Sequence, residues 1–199
     1  MSGGPSITCH PVTPDRWADL EALFGPRGAV GGCWCMFFRL PSREFEANKG
    51  EANRRAMQGI VERGEVPGIL AYVDGQPAGW CSIAPREAFP RLERSRVAKR
   101  VDDLPVWSVV CFFVQRPYRR QGVGVALLEA AVEYARSQGA HIIEAYPVEA
   151  AGDMPDVYAY YGLAETFRRA GFVEVARRSP TRPLMRLTLT DAPGVNEAV

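Results

Sequence analysis

Residues 106–124 read VWSVVCFFVQRPYRRQGVG. The first nine residues are nearly all apolar, and a strand that is apolar on both faces belongs in the middle of a sheet. A basic turn with two glycines follows, and apolar residues then recur at helical spacing until Gly139, which is suited to end a helix. This pattern predicts a central unit of strand, turn and helix.

The turn in this unit is a predicted anion site. It contains the first backbone N–H groups of the helix, which lack partners inside the helix and lie at the positive end of its dipole. Gly122 and Gly124 carry no side chain that would block a close approach of a ligand to the backbone. A dinucleotide fingerprint is excluded because Leu127 stands where its third glycine is needed, and a nucleotide phosphate loop is excluded because no Gly-Lys-Ser/Thr triplet occurs.

Further strands and helices are predicted on both sides of this unit. Thr13-Pro14-Asp15 opens a helix, Ser42 is a plausible cap for a second helix, and Asp74-Gly75 joins two apolar runs as a tight hairpin. The other predicted elements are a strand at 7–12, the second helix over 42–63, a short helix near 92–99, a strand at 142–147, a helix at 163–170, and strands at 172–177 and 184–189.

Composition excludes several classes of function. The chain has 199 residues, which we interpret as one domain over residues 1–199 with a flexible tail at 191–199. The 24 basic residues balance 23 acidic ones, so no global field favours nucleic acid. No apolar run approaches the roughly 20 residues that cross a bilayer, and the N-terminus has no secretory pattern, so we expect a cytoplasmic protein without a membrane partner.

The turn and its helix resemble the signature of the GNAT N-acetyltransferase superfamily. The matching residues are Val114, the run Pro117-Tyr-Arg-Arg-Gln-Gly-Val-Gly124 and the helix start Ala126-Leu-Leu128. A second element, FRRAGF at residues 167–172, resembles the helix-to-strand corner that follows the cofactor site in that family. The resemblance covers about residues 7–189. It implies an α/β (α+β) fold with a mixed, mostly antiparallel sheet of about seven strands, flanked by helices, in which strands four and five splay apart.

The resemblance also implies an activity and a cofactor. The enzyme would be an acyltransferase that moves the acetyl group of acetyl-coenzyme A to a primary amine of a small molecule or peptide by direct attack. The backbone N–H of Phe112 would stabilise the oxyanion, and a homodimer is left open. The implied cofactor-binding residues are Phe112, Val114, Arg119, Arg120, Gln121, Gly122, Val123, Gly124 and Val125.

Two departures from the family pattern affect the catalytic residues. Many members have a tyrosine acid where this chain has Phe167, and many have a glutamate base where this chain has Ser108. The long loop before the last helix carries Tyr158, Tyr160 and Tyr161. These tyrosines either supply an acid or pack the loop against the rest of the domain. Glu144 is the best replacement for the base, since a glutamate is mostly ionised at neutral pH. The alternative is a structural carboxylate paired with an arginine.

Residues 31–39, GGCWCMFFR, have no clear period. They either line the acceptor pocket or pack in the core. A metal site is weaker, because the Cys33 and Cys35 pair needs two more ligands and no remaining cysteine or histidine has zinc-site spacing. We predict no metal.

The alternative to an enzyme is a non-catalytic sensor or regulatory module that binds coenzyme A. Such a module would keep the phosphate turn and lose the catalytic acid and base, as Phe167 and Ser108 allow. Release of free thiol from acetyl-coenzyme A in the presence of an amine would distinguish the two functions.

Overall fold

The computed structural model describes residues 4–149 and 160–189. Within these residues the chain forms seven β-strands and five α-helices. The strands are β1 (Ile7–Pro11), β2 (Gly68–Val73), β3 (Gln76–Pro85), β4 (Trp107–Val114), β5 (Ile142–Ala145), β6 (Val173–Arg177) and β7 (Pro183–Thr188). The helices are α1 (Trp17–Phe24), α2 (Ser42–Ala47), α3 (Glu51–Glu62), α4 (Val123–Ser137) and α5 (Ala164–Arg169).

All seven strands join one mixed sheet in the order β1-β2-β3-β4-β5-β7-β6. Only the β4–β5 pair is parallel. The apolar strand β4 holds the central position, as predicted from its two apolar faces. The predicted fold class, a mixed and mostly antiparallel sheet flanked by helices, is confirmed.

Strands β4 and β5 separate after a short paired region. Their register joins Trp107 to Ile143, Ser108 to Glu144 and Val109 to Ala145, where β5 ends, while β4 continues to Val114. The β3–β4 register also shifts beside this point, so Val110 has no partner on β3. Such a bulge bends a strand and increases its twist. The result is an open wedge in the sheet next to residues 110–114.

The helices cover both faces of the sheet. Helix α4 contacts β1, β2, β3 and β4 and buries Val123, Leu127 and Ala131 against one face. A second core on the other face contains Leu20 of α1, Met57 of α3 and the fully buried Trp80 of β3. Both cores border the wedge, so a ligand there would lie between rigid layers.

The predicted second helix over residues 42–63 is wrong in one respect, because it is broken into α2 and α3. Gly50 lies between them with a left-handed φ of 89°, and its N–H donates to the carbonyl of Gly32 at 2.9 Å. This long-range contact outweighs local helix propensity. Ser42 is also the first residue of α2 and makes no capping bond.

Other local predictions have mixed outcomes. The hairpin at Asp74-Gly75 is confirmed, since both residues have the positive φ of a tight turn, 49° and 79°. The helix predicted near residues 92–99 is not an α-helix; a 3-10 turn at Pro90–Leu92 lies just before it. In the described residues no helix has the length and apolar character of a membrane span. The tail predicted at 191–199 lies outside the described residues.

Candidate active site

The turn before α4 presents a row of backbone N–H groups. Within the described residues, the amides of residues 120–124 donate no hydrogen bond to the protein. Arg120 and Gly122 have left-handed φ angles of 61° and 87°, which turn the chain sharply into the helix. Five consecutive donors at the positive end of a 15-residue helix form an anion site.

Gly122 and Gly124 have different physical roles in this turn. Gly122 caps α4 in a conformation that side chains of L-residues rarely adopt. A Cβ on Gly124 would meet no atom within 4 Å, so the space beside its backbone is open to a ligand. Val125 differs from its neighbours, because its N–H already donates to the carbonyl of Gly122 at 3.0 Å.

Two side chains fix the turn to its surroundings. The Arg119 Nε donates to the carbonyl of Val114 at 3.1 Å, which ties the turn to the end of β4. The Gln121 amide donates to the carbonyl of Pro117 at 2.7 Å. Because both bonds are made to the backbone, the predicted phosphate turn is held in place before any ligand arrives.

A cavity of about 760 Å³ runs from this turn into the wedge. Phe112 and Val114 of β4 line it, together with the turn residues 119, 120 and 122–125. The structure therefore brings together the predicted cofactor-binding residues, apart from Gln121, whose side chain folds back onto Pro117.

The segment of residues 31–39 forms another part of the cavity wall. Gly31, Cys33, Cys35, Phe37 and Phe38 line it. Its chain turns repeatedly, with positive φ at both Trp34 and Cys35. The segment thus borders the cavity and also contributes Trp34, Cys35 and Met36 to the core, and its role as the wall of an acceptor pocket stays a prediction.

Cys35 has unusual surroundings. The Trp80 indole N–H donates to its Sγ at 3.2 Å. Hydrogen bonding from the Cys111 thiol, together with the Trp80 and Ser82 donors and the positive charge of Arg39, lowers the pKa of Cys35 to about 7 in spite of its burial. Burial instead raises the pKa of Cys33 to about 11. The sequence named Cys35 only as one of a possible pair of metal ligands and did not indicate a lowered pKa, because its partner Trp80 comes from a distant strand.

Glu144 lies outside the cavity, in a buried network of ion pairs. Its Oε2 accepts from Arg86 at 2.9 Å and from the Tyr146 hydroxyl at 2.7 Å, and its Oε1 accepts from Arg186 at 2.8 Å. The Glu144 side chain is only 1% exposed and that of Arg86 is fully buried. Both carboxylate oxygens are thus engaged. This is the geometry of a structural carboxylate, and neither arginine partner was identified from the sequence.

Ser108 joins the same network. Its hydroxyl lies 2.9 Å from the Tyr146 hydroxyl, which accepts from Arg86 at 2.6 Å and donates to Glu144. Ser108 must therefore be the donor to Tyr146. Burial and the neighbouring Glu144 charge raise the Tyr146 pKa far above its usual range. Ser108 is buried and does not border the cavity.

The candidate positions for a catalytic acid differ in where they lie relative to the cavity. Phe167 is fully buried, stacks edge-on with Phe112 at 6.0 Å and forms part of the cavity wall. Tyr160 also lines the cavity, whereas Tyr161 stacks with the Arg182 guanidinium at 3.7 Å. Tyr158 lies outside the described residues. Among the described residues no cluster of three or more potential ligands could hold a metal ion.

The site therefore combines a wedge between parallel strands, a row of backbone N–H groups at a helix N-terminus and a cavity that both border. A family model described as "Acetyltransferase (GNAT) family" matches residues 34–162. The chain belongs to the GNAT acetyltransferase family. The predicted family and the acyltransferase class are therefore confirmed. No match was found among curated proteins.

Solved structures share the fold at low sequence identity. A GNAT-family acetyltransferase from Listeria monocytogenes is 12% identical with a TM-score of 0.56, covering 95% of this chain and 98% of that one. The yncA structure from Salmonella typhimurium, with its cofactor acetyl-CoA, is 12% identical at 0.51, covering 96% and 99%. The PaiA N-acetyltransferase from Thermoplasma acidophilum, in complex with coenzyme A, is 10% identical at 0.50, covering 92% and 99%.

Proposed function

We propose that this chain binds acetyl-coenzyme A and transfers the acetyl group to a primary amine. The observation that carries the proposal is the continuous cavity that joins five free backbone N–H groups to the wedge between β4 and β5. An acyl-coenzyme A needs both features, since its pyrophosphate is an anion and its pantetheine arm is long and narrow. Titration calorimetry with acetyl-coenzyme A tests the binding.

The cofactor would lie along the route that these features define. The amides of residues 120–124 would hold the pyrophosphate, with the Arg119 and Arg120 side chains adding positive charge at the cavity mouth. The pantetheine arm would enter the wedge beside the unpaired part of β4 and hydrogen-bond to Phe112 and Val114. Val125 would contribute its side chain only, because its N–H is already bonded within the helix.

Acetyl transfer would proceed by direct attack of a neutral amine on the thioester carbon. The backbone N–H of Phe112 would stabilise the oxyanion that forms. Glu144 would hold the fold together and take no proton, because the Arg86 and Arg186 guanidinium groups engage both of its oxygens. The chemistry therefore has to use a proton acceptor other than Glu144.

The acceptor is an amine on an apolar or aromatic body. Among the described residues, the cavity wall also carries the rings of Phe24, Phe37, Phe38, Phe45 and Trp80. Glu46 and Lys49, the charged residues there, pair with each other. Apolar walls with few polar groups favour ligands of the same character. In a panel of amines, arylalkyl and alkyl amines should have a higher kcat/KM than polyamines or amino sugars.

A sensor module without catalysis is the second candidate function. Phe167 and Ser108 favour it, since they occupy the positions at which many family members have an acid and a base. Thiol release from acetyl-coenzyme A separates the candidates. An enzyme releases coenzyme A in step with amine acetylation, whereas a sensor binds acetyl-coenzyme A with the same affinity and releases nothing above the buffer rate.

A further inference from the structure

The cavity contains a thiol that the proposed reaction has not yet used. We propose that Cys35 is the proton shuttle of acetyl transfer, taking the proton of the attacking amine and delivering it to the departing coenzyme A sulfur. This inference rests on the proposed acetyltransferase function. It deepens that function by assigning two proton transfers to one residue, since Ser108 and Phe167 stand where many family members have a glutamate base and a tyrosine acid.

Cys35 borders the cavity and lies beside β4. It borders the same cavity as Phe112, whose N–H is the proposed oxyanion donor. Its neighbour Cys111 directly precedes Phe112 on β4, so the Cys35 sulfur lies beside the strand that forms the wedge. Trp80, which donates to that sulfur, projects from β3 opposite Phe113. Cys35 therefore borders the cavity in which a thioester and an amine would meet.

The surroundings of Cys35 stabilise an anion. The Trp80 indole N–H donates to its sulfur at 3.2 Å, the Cys111 thiol is a second partner, and Arg39 adds a positive charge. The Arg39 Nε is buried and has no hydrogen-bond partner among the described residues. A guanidinium with an unused buried donor is poorly solvated, so an anionic sulfur nearby compensates its charge.

The other titratable groups around Cys35 stay in their ordinary charge states. The pKa of Cys111 is raised well above its usual value, first because it donates to Cys35 and then by burial. The pKa of Cys33 is raised to about 11, and burial raises that of Cys81. These three thiols therefore remain protonated near neutral pH. Among the described cysteines that line the cavity, Cys35 is the one whose pKa is lowered.

The backbone holds Cys35 in this position at an energetic cost. Trp34 and Cys35 are consecutive non-glycine residues with φ of 46° and 56°. Residues other than glycine rarely adopt this left-handed conformation, and such strain is concentrated at functional sites. The close contact of Gly28 with the Trp34 ring, where a Cβ would lie 2.4 Å from the indole nitrogen, fixes the segment further.

The proposed steps balance. The amine nitrogen forms a bond to the carbonyl carbon, and the carbon–sulfur bond to coenzyme A breaks with its electron pair leaving on that sulfur. The nitrogen proton moves to the Cys35 thiolate, and the resulting thiol then protonates the coenzyme A thiolate. The second transfer is downhill, because an ordinary alkyl thiol has a pKa of about 8.5 and therefore binds the proton more tightly than Cys35 does. A base with a pKa near the working pH is also the efficient choice for the first transfer.

The pH dependence of kcat/KM tests the proposal. In the wild type, kcat/KM should rise with pH through about 7, since the shuttle must begin as a thiolate. In Cys35→Ser this rising limb of the pH profile should be absent, and kcat/KM should be about 10²- to 10⁴-fold lower than in the wild type. The affinity for acetyl-coenzyme A should be unchanged. Cys111→Ala removes a donor to the thiolate and should move the limb to higher pH. Cys9→Ser, the same change outside the cavity, should keep the wild-type profile.

Three results would overturn the inference. The first is a folded Cys35→Ser protein with the wild-type rate and limb, which leaves the proposed function intact. The second is an acetyl group found on Cys35 by mass spectrometry after incubation with acetyl-coenzyme A alone, which would make Cys35 a nucleophile. The third is a limb that stays in place in Cys111→Ala. A wild-type protein that acetylates no amine contradicts the proposed function itself. If Cys35→Ser fails to fold, the Cys111→Ala profile and the acetyl-enzyme measurement decide.

Discussion

Replacing Glu144 by glutamine separates a structural carboxylate from a catalytic one. The substitution leaves one oxygen and puts an amide NH₂ group against groups that already donate hydrogen bonds, either Arg86 and Tyr146 or Arg186. The Arg86 side chain is completely buried and keeps only the partly exposed Glu93 as a charged partner. Removing one member of a buried pair typically costs about 3–5 kcal/mol. Since Arg186 also retains Asp102, we expect a loss of about 3 kcal/mol.

Urea unfolding of the wild type and Glu144→Gln measures this loss, and turnover is then scaled to the folded fraction. The matched control is Glu133→Gln, which removes an exposed pair with Arg136 on α4 and should cost about 0–0.5 kcal/mol. We expect unchanged kcat per folded molecule in both variants. The reasoning is refuted if Glu144→Gln unfolds within about 0.5 kcal/mol of the wild type while its turnover falls 10²-fold or more.

Three further predictions follow from the site. Phe167→Tyr should change kcat less than about tenfold, as measured by turnover. Phe167→Leu should stay active and lose about 1–3 kcal/mol of unfolding free energy, as measured by denaturation. Loss of activity in a stable Phe167→Leu protein would assign the ring a direct role. Gly122→Ala should destabilise the protein by about 1–2 kcal/mol because φ at this position is 87°, and an unchanged unfolding midpoint would count against this. The rate of Cys35 alkylation by iodoacetamide, measured by peptide mass spectrometry, should reach half its maximum near pH 7. Cys9 has a pKa of about 11 and should react slowly until much higher pH. Equal pH profiles for the two cysteines would show that Cys35 is not stabilised as a thiolate.

The parts of the fold that could be predicted are those specified by neighbouring residues. The central strand, the phosphate turn and α4 follow one another within residues 106–138, so apolar pattern, glycine positions and helix spacing all describe one continuous unit. The Asp74-Gly75 hairpin is equally local. The break between α2 and α3 could not be predicted, because it depends on a hydrogen bond from Gly50 to the distant carbonyl of Gly32.

The same distinction applies to the candidate site. The predicted cofactor turn is a local motif, and most of its residues line the cavity. Arg86 lies 58 residues from Glu144, and Trp80 lies 45 residues from Cys35, so neither pairing leaves a pattern in the sequence. Only the sheet register and the folding of residues 31–39 onto β3 and β4 bring these groups together. The proposed proton chemistry therefore depends on contacts that form only in the tertiary structure.

Acetyl-coenzyme A should bind at the turn before α4. Titration calorimetry of the wild type, Gly124→Glu and the control Gly59→Glu measures this binding. Gly124→Glu would put a carboxylate into the open space beside the free amides, whereas Gly59→Glu makes the same change on α3, where the new side chain lies near Arg63. We predict that the wild type and Gly59→Glu bind acetyl-coenzyme A with equal affinity and that Gly124→Glu, although folded, does not bind it. A folded Gly124→Glu protein with wild-type affinity would contradict the account.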